Sequence, residues 1–87
     1  MTKIVPGTQS FSRSIAVLQA ISDCSAPPTA ADLLADCGLS RPTLFRILAS
    51  LEVEGLARKN NQGCYLPGIR LVGLARRALE DVDIRSL

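Results

Sequence analysis

Apolar residues recur at helical spacing along most of this chain, and the rhythm changes between residues 56 and 66. The first helical run predicts a helix starting near Ser10 or Ser12 and reaching about Ser22, with Phe11, Ile15, Leu18 and Ile21 close to one face. Val17 and Ala20 form a second, weaker edge, open to either the core or a subunit contact. Two prolines in Cys24-Ser-Ala-Pro-Pro28 stop the helix, because proline lacks the amide hydrogen and clashes with the preceding turn. Thr29 opens a short second helix, and Thr29 with Asp32 has capping-box spacing. Ala31, Leu33, Leu34 and Ala35 are its expected apolar contacts. Gly38 permits the left-handed backbone that ends it, and Leu39 should plug the following angle. Ser40 caps a third helix that tolerates Pro42 in its first turn and buries Leu44, Ile47, Leu48 and Leu51. It fades at Glu52-Val-Glu-Gly55.

Residues 56–66 read differently. Strand-like ends flank Asn60-Asn-Gln-Gly63, a cluster that favours a tight hairpin. Leu56 on one arm is expected to pair with Tyr65 or Leu66 on the other, above the core. Pro67-Gly68 separates this hairpin from a last helix over about Ile69–Val82. Leu71, Leu74, Ala75, Ala78, Leu79 and Val82 form its stripe, with Arg70, Arg76, Arg77 and Glu80 away from it. That stripe suits either the core or a second subunit; a subunit contact is preferred, because the preceding elements already close a domain. The sum is a mainly α fold with a small β-hairpin: a winged helix-turn-helix, with a three-helix core plus wing, followed by a linker helix. The expected organisation is a flexible arm over 1–9, a winged helix-turn-helix domain over 10–67 and a linker or dimerisation helix over 68–87.

At 87 residues the chain can bury one modest core. It has no histidine, and Cys24, Cys37 and Cys64 lack Cys-x-x-Cys spacing, so neither a zinc site nor a cofactor is expected. Cysteines used as small apolar residues suit a reducing cytoplasm. No signal-peptide core or membrane span stands out. No paired carboxylates, glycine-rich phosphate loop or nucleophile with a nearby base points to an enzyme.

The net charge of +2 is too small to identify a partner, but its distribution is uneven. No acid occurs between Ser40 and Leu51, or between Glu54 and Glu80. Opposite the apolar stripe, the third helix carries Pro42, Arg46 and Ala49, flanked by Arg41, Thr43, Phe45 and Ser50. This is the profile of a recognition helix, about 40–53, entering a major groove. Arg46 and Arg41 would bond bases or phosphates, while Thr43 and Ser50 fix the backbone register. Phe45 is open to packing against the second helix or to base contact. Arg58 and Lys59 would carry a basic wing, 56–66, along phosphates. Single-stranded nucleic acid fits poorly, since Phe11, Phe45 and Tyr65 are the only aromatics and two of them read as structural. The alternative is a winged helix that binds proteins without binding DNA. A steep salt dependence of duplex binding separates the two readings.

With these elements placed, the chain resembles the N-terminal winged helix-turn-helix domain of the IclR family of bacterial transcription regulators. The carriers are Ser12-Arg-Ser-Ile-Ala-Val-Leu18, Ala31-Asp-Leu-Leu-Ala-Asp-Cys-Gly-Leu39, Thr43-Leu-Phe-Arg-Ile-Leu48, Leu51-Glu-Val-Glu-Gly-Leu56 and Tyr65-Leu-Pro-Gly68. Two positions depart from the family pattern. Phe45 stands where a histidine is common, replacing a polar contact by an apolar one suited to a thymine methyl. Pro42 stands where serine is common, so a hydroxyl able to reach phosphate is missing. The resemblance implies double-stranded DNA as partner, a homodimer on a palindromic operator, and a small-molecule effector acting only through a C-terminal domain absent from this chain.

Overall fold

Side-chain caps set where two of the helices begin. The computed structural model describes residues 5–82. Their order is α1 (Gln9–Asp23), α2 (Ala30–Cys37), α3 (Arg41–Val53), β1 (Ala57–Lys59), β2 (Tyr65–Pro67) and α4 (Arg70–Leu79). At the start of α2, the Asp32 amide donates to Thr29 Oγ1 at 3.2 Å and the Thr29 amide donates to Asp32 Oδ2 at 2.9 Å. This is a reciprocal capping box. The backbone bond from Thr29, helped by its hydroxyl, holds the Asp32 carboxyl below the usual carboxylate range. At the start of α3, the Thr43 amide donates to Ser40 Oγ at 3.4 Å, and Pro42 sits in the first turn. Gly38 ends α2 at φ 66°, in the left-handed region that glycine enters without steric cost.

The core lies where α1, α2 and α3 converge over the hairpin. Its buried members are Val17, Leu18 and Ile21 of α1, Leu33 of α2, Leu44, Ile47, Leu48 and Leu51 of α3, Ala57 of β1 and Tyr65 of β2. The whole expected stripe of α3 is inside. Leu39 is half-buried and packs on this cluster from the turn between α2 and α3.

Two apolar faces are rotated from their expected positions. Phe11 is 66% exposed and Ile15 is also exposed, while Val17 is fully buried. The core contacts of α1 run through Val17, Leu18 and Ile21, and Phe11 and Ile15 lie outside them. Phe11, expected among the structural aromatics, is therefore on the surface, and Tyr65 is the aromatic in the core. In α2, Leu33 is buried and Leu34 packs on the core as expected, while Ala31 and Ala35 are exposed and Ala30 and Cys37 make contacts in their place.

The hairpin is antiparallel, with Ala57 opposite Pro67, Arg58 opposite Leu66 and Lys59 opposite Tyr65. Leu56 precedes the strand and does not pair with Tyr65 or Leu66 as expected; its carbonyl accepts from the Gly68 amide at 2.8 Å. The alternation of β1 and β2 suits this register, because it turns Ala57 and Tyr65 to the core and Arg58 outward; Lys59 shares the face of Tyr65, lies against its ring and stays exposed. The wing is also tied to the first interhelical loop. The Tyr65 amide donates to the Pro28 carbonyl at 2.8 Å, and Thr29 bridges Cys64.

The last helix was expected to reach Val82 but ends at Leu79. Glu80 and Asp81 follow, and acids at a helix C-terminus oppose its dipole. No residue of α4 is buried, although Leu71 packs against the core from outside. Residues 1–4 of the expected arm and 83–87 of the expected linker lie outside the described residues.

Candidate nucleic-acid interface

The packing of α3 dictates what it shows to solvent. With Leu44, Ile47, Leu48 and Leu51 buried, the helix presents Arg41, Pro42, Phe45, Arg46, Ala49 and Ser50 outward, all exposed. Thr43 is half-buried at the edge of this face. The Ser40 hydroxyl donates to Thr43 Oγ1 at 2.9 Å, so the cap and the threonine hold each other in place. Phe45 is 42% exposed and lies outside the core. The Arg41 guanidinium stands 6.0 Å from its ring centroid, a stacking distance that pre-orients the cation over the outer face.

Thr43, Arg46 and Ser50 share an open cleft of about 370 Å³ with Ser10, Arg13 and Ser14 of α1. Its lining joins two guanidiniums to hydroxyls from both helices and includes no carboxylate. Among the described residues, Arg13, Arg41, Arg46, Arg58 and Lys59 form no salt bridge, so their charge is not neutralised within the fold. A surface of this kind is suited to a phosphodiester backbone, where each cation displaces a condensed counterion.

The contribution of α1 was missed in the sequence. Its signal was present: Ser10, Arg13 and Ser14 are three and four residues apart, the spacing of neighbours on one helix face. Ser14 Oγ donates to the Ser10 carbonyl at 3.0 Å, leaving its lone pairs free to accept.

The wing cations are held along the body of the hairpin. Arg58 Nε donates to the Pro67 carbonyl at 3.2 Å across the strands. Lys59 Nζ lies 5.6 Å from the centroid of the Tyr65 ring. Both side chains remain exposed. The wing is not brought into the α1–α3 cleft; it forms a second basic element on the same chain.

The residues expected at a subunit contact divide by exposure. Leu71 and Ala75 are half-buried, while Leu74, Ala78, Leu79 and Val82 are exposed, with Leu74 58% accessible. Val72, outside the expected set, is exposed as well. The remaining chemistry is plain. Cys24, Cys37 and Cys64 are free and half-buried, and burial pushes the Cys37 thiol up, away from reactivity. Among the described residues, no cluster of histidine, cysteine or carboxylate groups is placed to hold a metal, and no helix is long and apolar enough to cross a membrane.

This arrangement of three helices, hairpin and following helix has close counterparts. The family model described as the IclR helix-turn-helix domain matches residues 10–61, more than half of the chain. Among solved structures, the chain is similar to a transcriptional regulator of this family from Alicyclobacillus acidocaldarius, with a TM-score of 0.77 and 26% identity, covering 97% of this chain and 33% of that one. It is similar in fold to the Agobacterium tumefaciens repressor BlcR, with a TM-score of 0.75 and 22% identity over 91% of this chain and 32% of the repressor. An IclR family transcriptional regulator from Brucella abortus gives a TM-score of 0.75 and 22% identity over 97% of this chain and 32% of its own. The chain thus spans about a third of the length of these solved relatives. No curated protein sequence matches it. With the matched segment running from the start of α1 into the wing, and the winged helix-turn-helix fold in place around it, the chain belongs to the IclR helix-turn-helix family of DNA-binding regulator domains.

Proposed function

We propose that this domain binds a specific double-stranded DNA sequence by placing α3 in the major groove and its wing on flanking phosphates. The observation that carries the reading is the acid-free cleft in which Arg13 of α1 and Arg46 of α3 converge with hydroxyls from both helices. Arg46 and Arg41 donate to base edges or phosphates, and Phe45 offers an apolar edge to a thymine methyl. Thr43 and Ser50, with Ser10, Arg13 and Ser14, grip the backbone alongside and fix the register. Ser40 and Pro42 set the start of the helix at the groove. Arg58 and Lys59 contact phosphates from the wing.

The working unit is a homodimer on a palindromic operator. The unpaired apolar face of α4, with Leu74, Ala78 and Leu79 exposed, supports it. Leu71, Ala75 and Val82 complete the same stripe. A two-fold axis through α4 would set two recognition helices on half-sites about one helical turn or more apart. In a longer regulator, a small effector would act by changing the relation of the two α4 helices. A domain of this type performs no catalysis, and its cellular place is the cytoplasm, beside the DNA.

Selection of bound duplexes from a random pool, followed by titration of the winner in rising salt, tests the reading. If about four to six cations per protomer meet phosphates, affinity falls by orders of magnitude between low and moderately high salt. Capture of a protein partner insensitive to salt, with no duplex affinity, would replace it with the protein-binding alternative.

A further inference from the structure

The outward face of α3 is not uniformly polar. Pro42, Phe45 and Ala49 follow one another at three- and four-residue spacing, so they form one row along the helix, and all three are exposed. None belongs to the core cluster. Phe45 is a large ring left 42% accessible, while Leu44 beside it is fully buried and fixes this part of the helix against the core. The start of the row is set as firmly, by the Ser40 cap on the Thr43 amide.

Cations flank the row. The Arg41 guanidinium stands 6.0 Å from the Phe45 ring centroid, and Arg46 follows Phe45 in sequence. Among the described residues neither arginine forms a salt bridge. Val53 continues the row one turn beyond Ala49, but it stands between Glu52 and Glu54, acids that repel a phosphate. The part of the row compatible with an anion therefore ends at Ala49.

Whatever covers Pro42, Phe45 and Ala49 must be apolar where it meets them and anionic on both sides. The apolar patch of a protein meets the first condition and leaves two guanidiniums unpaired. A bare phosphate backbone meets only the second. A duplex major groove meets both where a pyrimidine carries a C5 methyl, an apolar group on a base edge between walls of phosphate. Alanine and phenylalanine contact such a methyl without a hydrogen bond.

We infer that this row reads C5 methyl groups, so that the domain favours thymine and 5-methylcytosine over uracil and unmodified cytosine, with Phe45 as the main contact. The inference rests on the duplex-binding reading above and extends it from base sequence to cytosine methylation. A methyl added to a cytosine beneath Phe45 raises affinity without any change of sequence.

Uracil in place of thymine removes the methyl and keeps the pairing and every hydrogen-bonding group. The 87-residue chain is titrated with its selected duplex, each thymine of the core replaced by uracil in turn. At least one replacement should weaken binding about fourfold, the worth of one buried methyl. With a cytosine·guanine pair at that position, 5-methylcytosine should bind more tightly than cytosine by a similar factor. Phe45→Ala, with its melting temperature kept because the ring lies outside the core, should bind the thymine and uracil duplexes alike. Four results would overturn the inference: a selected core without thymine, a uracil scan with no effect, no gain from 5-methylcytosine, or a methyl effect that survives in Phe45→Ala. In each of these the chain still binds duplex DNA. Absence of any duplex binding would instead remove the underlying reading and the inference with it.

Discussion

The Arg70 guanidinium lies 2.7 Å from the Glu54 carboxylate and also donates to the Glu54 carbonyl at 3.0 Å. It joins the first residue of α4 to the residue that caps α3. The Arg70 amide donates in turn to the Gly55 carbonyl at 3.2 Å. Both side chains of the ion pair are more than half exposed, at 52% and 60%, so solvent screens most of its Coulomb energy. The firmer part of this joint is backbone. A Cβ added at Gly68 would run into the Gly55 carbonyl oxygen, which cannot move aside as a flexible side chain could.

Gly68→Ala should therefore destabilise the domain by about 2 kcal/mol or more, and Arg70→Ala by about 1 kcal/mol or less. Urea unfolding of the two variants checks the order. Equal losses would mean that the ion pair, and not the close backbone approach, positions α4.

Arg46→Ala and Leu48→Ala should part company. Arg46 is exposed and Leu48 is 1% accessible, although they lie two residues apart on α3. Removing the arginine should cost about 1–3 kcal/mol of specific binding with the melting temperature kept. Removing the leucine should cost about 2–5 kcal/mol of stability through the cavity it leaves. Calorimetry and duplex titration on the same pair of variants distinguish face from core.

Arg13→Ala should weaken binding to all duplexes to a similar degree and lower the salt slope by about 1, as loss of one phosphate contact requires. A changed sequence preference in a duplex selection would show that α1 reaches bases.

Asp32 has a lowered carboxyl pKa in the folded chain because the Thr29 amide bonds its ionised form. Its contribution to stability is then fully present above the ordinary carboxylate pKa and is lost as pH falls through the lowered folded value. Asp32→Asn should flatten the acid side of the stability curve while leaving its alkaline side parallel to the wild type. Melting temperatures measured from neutral pH downward test the sign.

Much of this domain was legible in its sequence. The stripe of α3, the Thr29–Asp32 box and the glycine ending α2 are local features, set by spacing and by the chemistry of single residues. The register of the wing and the packed face of α1 were not legible, because each depends on which neighbour arrives from far along the chain. Nothing near Phe11 in sequence indicates that the core contacts of its helix run through Val17, Leu18 and Ile21 instead. The same cause hid Arg13: its role as a candidate contact exists only because α3 lies beside it. The cations of the wing were found by type, but the ties that hold them to Pro67 and Tyr65 needed the paired strands.

The stripe of α4 leads to a prediction about assembly. Helices of this length are marginal in water without a packing partner, and here no residue is buried. Sedimentation of the wild type should show association as concentration rises, and a Leu74→Glu, Leu79→Glu variant should remain monomeric. A wild type that stays monomeric at high concentration would leave single-site DNA binding and remove the two-fold arrangement.

The bond from the Tyr65 amide to the Pro28 carbonyl has a consequence for how the domain comes into being. Pro28 is buried, and a buried carbonyl without a donor carries a desolvation penalty of about 1–3 kcal/mol. During synthesis the chain emerges N-terminus first, so α1, α2 and α3 are all available before Tyr65 is. Until then the loop between α1 and α2 must stay open to water, and the three helices can gather only loosely. A two-stranded hairpin is itself marginal alone. Helices and wing therefore lock in one late step, and the recognition helix gains its fixed setting only when a residue well beyond it has been added.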